Sequence, residues 1–278
     1  MSTVLSQPLL RQRADYRTLG LLTTLTAIFV WLFMGGAQWL LIPCTVLAIT
    51  ATLAKHNHSH TPTFTRRWAN RLFDYWLTLL TGSSATSIRV AHRVRHHGRN
   101  QSPDDLVRVS LVAHRSAWRA LLTYVPLVVW ESWRFQAADL KDKRRLSLRR
   151  ALQMERVVLW AFISTGLMVD WRHFLIAFPI PWLGAQWFLV AVNLPQHDGC
   201  DAASRWGHSR NVIGRASNWL FLNNGFHTAH HERPTLHWSL LPDWYRQHVA
   251  AQVPKELECQ TLAGMWLAWW KARITHTG

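Results

Sequence analysis

The sequence has few of the residues that build several common kinds of functional site. It contains three cysteines among 278 residues, and none of them forms a Cys-x-x-Cys pair. This excludes a disulfide scaffold and gives no sign of a zinc knuckle or a dithiol redox site. The nucleotide loops G-x-G-x-x-G and G-x-x-x-x-G-K-[ST] do not occur, nor does a Cys-x-x-Cys-His haem attachment. The sequence therefore gives no sign of a nucleotide site or of covalently attached haem.

Acidic residues are also scarce. The chain has 15 Asp and Glu against 31 Lys and Arg, which gives a net charge of +16. Such an excess predicts an anionic partner: nucleic acid, a lipid surface or a phosphate-bearing substrate. The distribution of charge decides between these partners, because no charged residue lies between Thr18 and Ala54. One bilayer crossing needs about 20 apolar residues, so this stretch is too long for a single crossing.

The charge-free stretch predicts two membrane helices joined by a tight turn at Gly35-Gly36. A second apolar pair follows, and the polar residues 170–173 separate its two halves. Pro179 and Pro181 do not exclude its last helix, since membrane helices tolerate proline where neighbouring groups satisfy the backbone. A signal peptide or a buried soluble hairpin fits the first stretch poorly because of its length. The sequence thus predicts an all-α integral membrane protein with four transmembrane helices in two hairpins, at residues 18–34, 37–54, 152–169 and 174–192.

Lysine and arginine lie mainly outside the turns of these hairpins. Because cytoplasmic segments of membrane proteins carry an excess of Lys and Arg, both termini and both long polar segments are expected in the cytoplasm. The predicted organisation is an N-terminal arm (1–17), a membrane domain (18–245) and a C-terminal tail (246–278). Helical spacing of apolar residues at 66–91, and an apolar stretch at 121–133, predict a cytoplasmic helical cap lying on the membrane.

Tryptophan is abundant, with 18 residues. Indole rings favour the membrane–water interface. Several tryptophans lie near the ends of the predicted spans: Trp31, Trp39, Trp171 and Trp182. An anionic lipid surface attracts each nearby Lys or Arg by roughly 1 kcal/mol. A membrane therefore accounts for both the tryptophan content and the positive charge, and nucleic acid is not required as a partner.

Most of the 16 histidines lie in groups, and this grouping indicates the chemistry of the site. Nine of them lie in three short boxes and one further motif: His56 and His60; His92, His96 and His97; Asn193-x-x-x-His197; His227, His230 and His231. Residues four apart on a helix share one face, so the first box should present two imidazoles side by side. In the second box His97 is offset by about 100° from His96, so the three rings could reach two metal ions.

Imidazole nitrogen is a ligand suited to iron, copper, zinc and nickel. One ion takes about four to six ligands, so nine histidines predict two metal ions or a surplus of donors. No pair of carboxylates lies among them, which excludes the Glu and Glu-x-x-His pattern of soluble di-iron bundles. The first box follows the second predicted span, and the Asn193 motif follows the fourth. With two complete hairpins, both should emerge on the same membrane face.

The three boxes, in this order around two apolar hairpins, resemble those of the membrane fatty acid desaturase superfamily. The Asn193 motif is similar to an additional ligand element of that family. The run from His230 to Pro234, followed by Leu241-Pro242, also resembles the surroundings of its third box. The resemblance covers about residues 18–245. His58, inside the first box, departs from the pattern and is either a competing ligand or a residue that supports the ligands.

The resemblance implies a di-iron enzyme that uses O2 and two electrons to introduce a double bond into an alkyl chain. It implies two iron ions per chain, O2 as co-substrate and an apolar acyl chain or lipid as substrate. The iron ligands would then be the nine grouped histidines: His56, His60, His92, His96, His97, His197, His227, His230 and His231. Asn193 would hold a bridging water or orient a ligand. Asp198, Asp201 and Glu232 are candidates for accepting hydrogen bonds from the ligand rings.

The electrons should come from a separate ferredoxin, rubredoxin or cytochrome, since the sequence contains no motif for a bound electron carrier. The basic cytoplasmic face would attract an acidic partner of this kind. The seven histidines outside this ligand set include six that lie outside every box, and these six are expected at the surface: His114, His173, His208, His237, His248 and His276.

Three alternatives remain open at the level of sequence. A hydroxylase or ketolase of the same superfamily, acting on another apolar or specialised substrate, is not separated from a desaturase. A membrane zinc hydrolase would need fewer histidines, because catalytic zinc takes three protein ligands and a water. A metal or haem-binding membrane protein without enzyme activity would place histidines or carboxylates inside the spans. The uncharged cores of the four predicted spans contain no histidine.

Overall fold

The computed structural model describes residues 8–139 and 146–276, and these residues are mostly helical. The α-helices are α1 (Asp15–Phe33), α2 (Leu41–His60), α3 (Arg67–Thr81), α4 (Ala85–Ile88), α5 (His97–Arg99), α6 (Ala117–Asp139), α7 (Leu146–Ala177), α8 (Pro179–Ala191), α9 (Asn193–His197), α10 (Arg215–Leu220), α11 (His227–Glu232), α12 (Leu241–Trp244) and α13 (Leu262–His276). The first seven residues of the predicted arm and the last two of the predicted tail lie outside the described residues.

Shorter elements connect these helices. Two stretches are π-helical, Arg89–His96 and Tyr245–Val249. The described ranges also contain 3-10 turns at Gln38–Leu40, Val109–Val112, Trp238–Leu240 and Lys255–Leu257. The strands β1 (Asn211–Val212) and β2 (Glu258–Cys259) pair in parallel. The predicted helices at 66–91 and 121–133 are present as α3 and α6, although α3 is shorter than predicted and α6 is longer.

Within the described residues, three helices are long and apolar enough to cross a membrane: Asp15–Phe33, Gln38–His60 and Leu146–Ala177. The first two form the predicted first hairpin. Gly35 adopts φ +84° in the turn, a conformation that residues with a Cβ rarely adopt. A Cβ on Gly36 would lie 2.2 Å from the indole of Trp31. The tight turn therefore depends on both glycines.

The second hairpin turns where the polar residues predicted it, at Asp170. This residue interrupts α7 with φ −156° and ψ 89°. A Cβ on Gly166 would lie 2.3 Å from the ring of Phe174. Residues eight apart on a continuous helix would be about 12 Å apart along the axis, so the chain reverses its direction between them. The ring of His173 also lies 3.2 Å from the Cβ position of Gly35, which places the two turns side by side.

The region predicted as the fourth span is divided between the end of α7 and the separate helix α8. Helix α8 begins at Pro179 and has 13 residues, fewer than the about 20 that one crossing needs. It packs mainly against α2, which also contacts α1 and α3. The ring of Phe178, between α7 and α8, stacks on Phe29 of α1 with ring centroids 4.7 Å apart. Helix α2 thus lies at the centre of the apolar core.

The tryptophans at the predicted span ends behave in two ways. Trp31, Trp39 and Trp171 are exposed, as side chains at a membrane interface should be. The prediction is wrong for Trp182, whose side chain is only 7% exposed. Its ring packs on the backbone of Gly82, where a Cβ would lie 2.5 Å from the indole. Because Gly82 has no side chain, the ring of Trp182 can pack against its backbone inside the core.

Buried ionic contacts fix the segment between α3 and the second histidine box. Glu155 of α7 is fully buried and accepts hydrogen bonds from Ser84, from Arg71 (2.8 Å), and from the backbone N–H (2.8 Å) and hydroxyl (2.7 Å) of Thr86. Lys55, next to the first box, donates to the hydroxyl of Thr81 at 2.7 Å. These contacts tie α2 and α7 to α3 and to α4, which leads directly into the π-helical stretch.

Candidate metal centre

The structure brings all nine predicted ligands together in two adjacent groups. The first group consists of five imidazoles: His56, His60, His92, His97 and His230. The second group consists of four: His96, His197, His227 and His231. Within each group the ligand nitrogens all lie within 4.8 Å of one another. Among the residues that the structure describes, each group could therefore hold one metal ion.

The boxes are divided between the two groups in a regular way. The last turn of α2 supplies both rings of its box to the first group, and α9 supplies His197 to the second. The second box gives His92 and His97 to the first group and His96 to the second. The third box, on α11, gives His230 to the first group and its other two rings to the second. Within the described residues the second box therefore contributes rings to both groups, as its spacing predicts.

A π-helical turn explains the pairing within the second box. The backbone N–H of His97 donates to the carbonyl of His92, an i→i+5 hydrogen bond. This wider turn places residues five apart on one side of the helix. The Nε2 atoms of His92 and His97 consequently lie 2.9 Å apart. An ordinary α-helix would have favoured the i, i+4 pair of His92 and His96, as the sequence suggested.

The distances between facing nitrogens test whether a cation fits. In the first group the Nε2 of His97 lies 2.9 Å from that of His230, which lies 3.0 Å from that of His56. In the second group the Nε2 of His227 lies 2.9 Å from that of His197 and 3.1 Å from that of His231. Nitrogens that share one ion through bonds of about 2.1 Å at right angles lie about 3.0 Å apart. The observed spacing matches this value.

Hydrogen bonds between the rings cannot account for all of these short contacts between nitrogens. Each imidazole nitrogen has one in-plane site, which carries either a proton or a lone pair. The Nε2 atoms of His97, His227 and His230 each face two other Nε2 atoms at hydrogen-bond distance. A single proton or lone pair satisfies only one such contact. A cation between the rings would accept all of the lone pairs at once, so the residues fit a metal ion in each group.

Two rings of the second group are held by acceptors at their other nitrogen. The Nδ1–H of His96 donates to the carboxylate of Asp105 at 2.9 Å, and that of His197 donates to the backbone carbonyl of His208 at 3.0 Å. A neutral ring that donates from Nδ1 carries its lone pair on Nε2. In His96 this Nε2 is buried and has no hydrogen-bond partner in the part of the chain that the structure describes. Such an orphaned nitrogen is what a metal ligand presents before the ion is bound.

Burial keeps five of the grouped imidazoles neutral. It lowers the pKa of His92, His197, His227, His230 and His231 well below the ordinary value of 6.5, and neighbouring imidazoles lower it further. A neutral imidazole is the form that binds metal. These five rings therefore offer their lone pairs at neutral pH without first releasing protons.

Other residues named by the sequence lie outside the two groups. His58 uses its Nδ1 on Thr63, at 2.9 Å from the hydroxyl, and turns its Nε2 towards Asp74 at 3.5 Å. It supports the end of α2 and is not placed as a competing ligand. Asn193 donates from its amide to the Val107 carbonyl (2.6 Å) and the Tyr124 hydroxyl (2.7 Å), which anchors the start of α9.

The three carboxylates expected to support the ligands have different partners. Asp198 accepts from Trp269 at 2.7 Å and from Arg273. Glu232 forms an ion pair with Arg205 at 2.7 Å. Asp201 accepts from the backbone N–H of Ala203 at 3.0 Å. The prediction was wrong because it chose carboxylates near the boxes in sequence.

The carboxylate that does contact a ligand ring is Asp105, which the sequence analysis missed. It is fully buried, and backbone N–H groups of Gln101 and Val107 fix it at 2.9 and 3.0 Å. Because it follows His96 by nine residues, no helical spacing connects the two. The signal available in the sequence was the acidic pair Asp104-Asp105 in an otherwise basic segment.

Two unclustered histidines are also placed differently from the expectation. His208 and His237 are only 6% and 7% exposed. His237 faces the carboxylate of Asp15 at 3.2 Å, which joins the segment after the third box to the start of α1. His114 and His248 are exposed as expected and His173 is partly exposed. The side chain of His276 lies outside the described residues.

Comparison with known proteins yields one family. A family model described as fatty acid desaturase matches residues 8–263, which is most of the chain and includes every grouped histidine. No curated protein matches significantly.

Proposed function

The chain belongs to the fatty acid desaturase family, and on that premise we propose that it is a membrane-bound, O2-dependent di-iron desaturase of acyl lipids. Members of this family are oxidoreductases, so an oxidation is the class of reaction expected. The observation that carries the proposal is the division of the nine histidines into two adjacent groups of metal-binding geometry. An unactivated C–H bond offers no acidic proton, so general acid–base groups alone would not break it, and iron would supply the oxidising chemistry.

In this proposal the first group holds one iron and the second group holds the other. The balanced reaction takes one O2, two electrons and two protons from a donor, and two hydrogens from adjacent methylenes. It releases two waters and leaves a carbon–carbon double bond. The protein's part is to hold each ligand ring in one tautomer, as Asp105 and the His208 carbonyl do. Burial of the groups also keeps bulk water from the reacting carbon atoms.

The topology that we propose has four membrane crossings. The segment after Asp170 would form the last one, as the end of α7 continued by α8. Both hairpin turns lie together, and the first histidine box lies at the far end of α2 from them. The excess of Lys and Arg outside the turns then assigns the histidine groups, the helical cap and both termini to the cytoplasm.

Such a site suits an apolar substrate that reaches it from the bilayer. The head group of an acyl lipid already lies at the membrane surface, so only the acyl chain needs to leave the bilayer to reach the site. We propose that electrons arrive from a separate ferredoxin, rubredoxin or cytochrome. The exposed Arg93 beside the second box, together with the net positive charge of the chain, would attract an acidic donor to this face.

Lipid analysis of an expressing host tests the proposal. The chain is produced in a host with its own ferredoxin and ferredoxin reductase, and acyl chains are compared by mass spectrometry. We expect a new lipid that lacks two hydrogens. The variant His230→Ala should remove it, whereas the control His114→Ala, at an exposed histidine, should retain it. A product that gains oxygen would identify a hydroxylase of the same family. Unchanged lipids, with two irons bound, would contradict an acyl substrate.

A further inference from the structure

His208 is a tenth imidazole at the metal centre, outside the three boxes. It lies in the loop between α9 and β1, and its side chain is 6% exposed. Its ring centroid lies 5.1 Å from that of His231 and 6.3 Å from that of His197. Within the second group the rings of His96 and His197 are also 5.1 Å apart, and those of His197 and His231 are 5.3 Å apart. His208 thus approaches His231 about as closely as the members of the second group approach each other, and it lies somewhat farther from His197.

The tautomer of His208 directs a lone pair away from the loop. Its Nδ1 lies 2.9 Å from the backbone carbonyl of Arg205, and a carbonyl only accepts, so Nδ1 carries the proton. The lone pair of the neutral ring is therefore on Nε2. This Nε2 is buried and has no hydrogen-bond partner among the described residues. A buried polar atom without a partner costs free energy unless something absent from the chain itself satisfies it.

The loop around His208 is fixed rather than loosely folded. The carbonyl of His208 accepts from the ligand ring of His197 at 3.0 Å. The neighbouring Arg210 donates from its backbone to Gln196 (2.8 Å) and from its guanidinium to the carbonyls of Pro195 (3.0 Å) and Asp198. The backbone carbonyl of His208 therefore contacts a ligand of the second group, and its ring lies on the side of that group.

The two groups differ in the number of their imidazoles. The first has five and the second has four. A fifth nitrogen from His208 would make the two sites equal, each with one further position open on a six-coordinate ion. We propose that His208 is the fifth imidazole ligand of the metal ion in the second group, through its Nε2. The assignment rests on the proposed two-metal function.

Titration of the purified apo-protein in detergent with Co2+ tests the assignment without requiring turnover. We expect the wild type to bind two Co2+ per chain. In His208→Ala the first Co2+ should bind as in the wild type, while the second should bind at least tenfold more weakly. Its visible absorption bands should also shift, because an oxygen donor replaces a nitrogen. The control His248→Ala removes an exposed histidine that stacks on Trp244, and it should behave as the wild type.

Other outcomes would overturn the assignment. A second Co2+ that binds His208→Ala with wild-type affinity and unchanged bands would show that the ring is no ligand. If His208→Ala and His208→Gln each lose both ions to the same extent, the role of His208 would be in folding instead. If His208→Ala does not fold, the titration is made with His208→Gln. Weaker binding of the second Co2+ is then expected, and wild-type affinity with unchanged bands would again overturn the assignment. A wild type that binds fewer than two Co2+ would contradict the proposed function itself, and this result is read before any variant.

Discussion

The Nε2 atoms of His97 and His230 lie 2.9 Å apart, although 133 residues separate them in the chain. The Nε2 of His97 also faces His92, and that of His230 also faces His56. These contacts join all three boxes in the first group. Because each nitrogen has one site for one partner, the arrangement is most stable with a cation between the rings.

The first prediction concerns this contact. His97→Ala should leave the chain with one metal ion instead of two, since it removes a ring that faces two others in the first group. The variant His58→Ala is the matched control, because this ring lies in a box but binds Thr63. Metal analysis of the purified variants decides the matter. Loss of metal in His58→Ala, with none in His97→Ala, would reverse the roles given to these residues.

The second prediction concerns Asp105. Asp105→Asn removes the charge that holds the proton on Nδ1 of His96. Loss of such an outer partner typically weakens metal binding by about 10- to 100-fold. Competition with a chelator during metal titration measures the change. Asp201→Asn, at an exposed carboxylate outside the groups, should bind metal as the wild type does. Equal affinity in the two variants would show that Asp105 does not support the site.

The third prediction concerns pH. The pKa of His197, His227 and His230 is lowered well below 6.5 in the folded apo-protein by burial. Below pH 6.5 the unfolded chain binds protons that the folded chain does not, so the free energy of unfolding falls as the pH falls. Apo-protein should therefore unfold at lower temperature at pH 5 than at pH 7.5. Bound metal should reduce the difference, because it stabilises the folded form. A melting temperature independent of pH would contradict the burial of these rings.

The fourth prediction concerns Glu155, which joins α7 to the segment before the second box. Glu155→Ala leaves Arg71, Ser84 and Thr86 without their common acceptor. Removing one partner of a buried ion pair costs about 3–5 kcal/mol. Denaturant or thermal unfolding of the purified protein should show this loss. Glu256→Ala, at an exposed carboxylate, should change stability little. Equal stability of the two variants would exclude the proposed anchoring role.

The sequence predicts the parts of this structure that depend on local patterns. The absence of charge between Thr18 and Ala54 locates the first hairpin, and Gly35-Gly36 locates its turn. The spacing within the boxes identifies all nine histidines that the structure groups. These features are readable because an apolar run, a glycine turn and a histidine box each occupy consecutive residues.

The remaining features depend on contacts between distant segments. The pairing of His92 with His97 requires a π-helical turn, which no pattern in the sequence predicts. Asp105 and His208 reach the second group through loops of irregular conformation. Trp182 is buried because of Gly82, which is about one hundred residues earlier in the chain. No periodicity along the chain records such contacts.

Metal content is the most direct test of the whole account. The protein is purified from membranes of an iron-replete host, and the iron and zinc per chain are measured by mass spectrometry. The account predicts two irons per chain, with one lost in His97→Ala. A single zinc or haem absorbance would contradict a two-iron centre built from these histidines. So would a wild type that carries no iron and fails to take up two ferrous ions under anaerobic conditions.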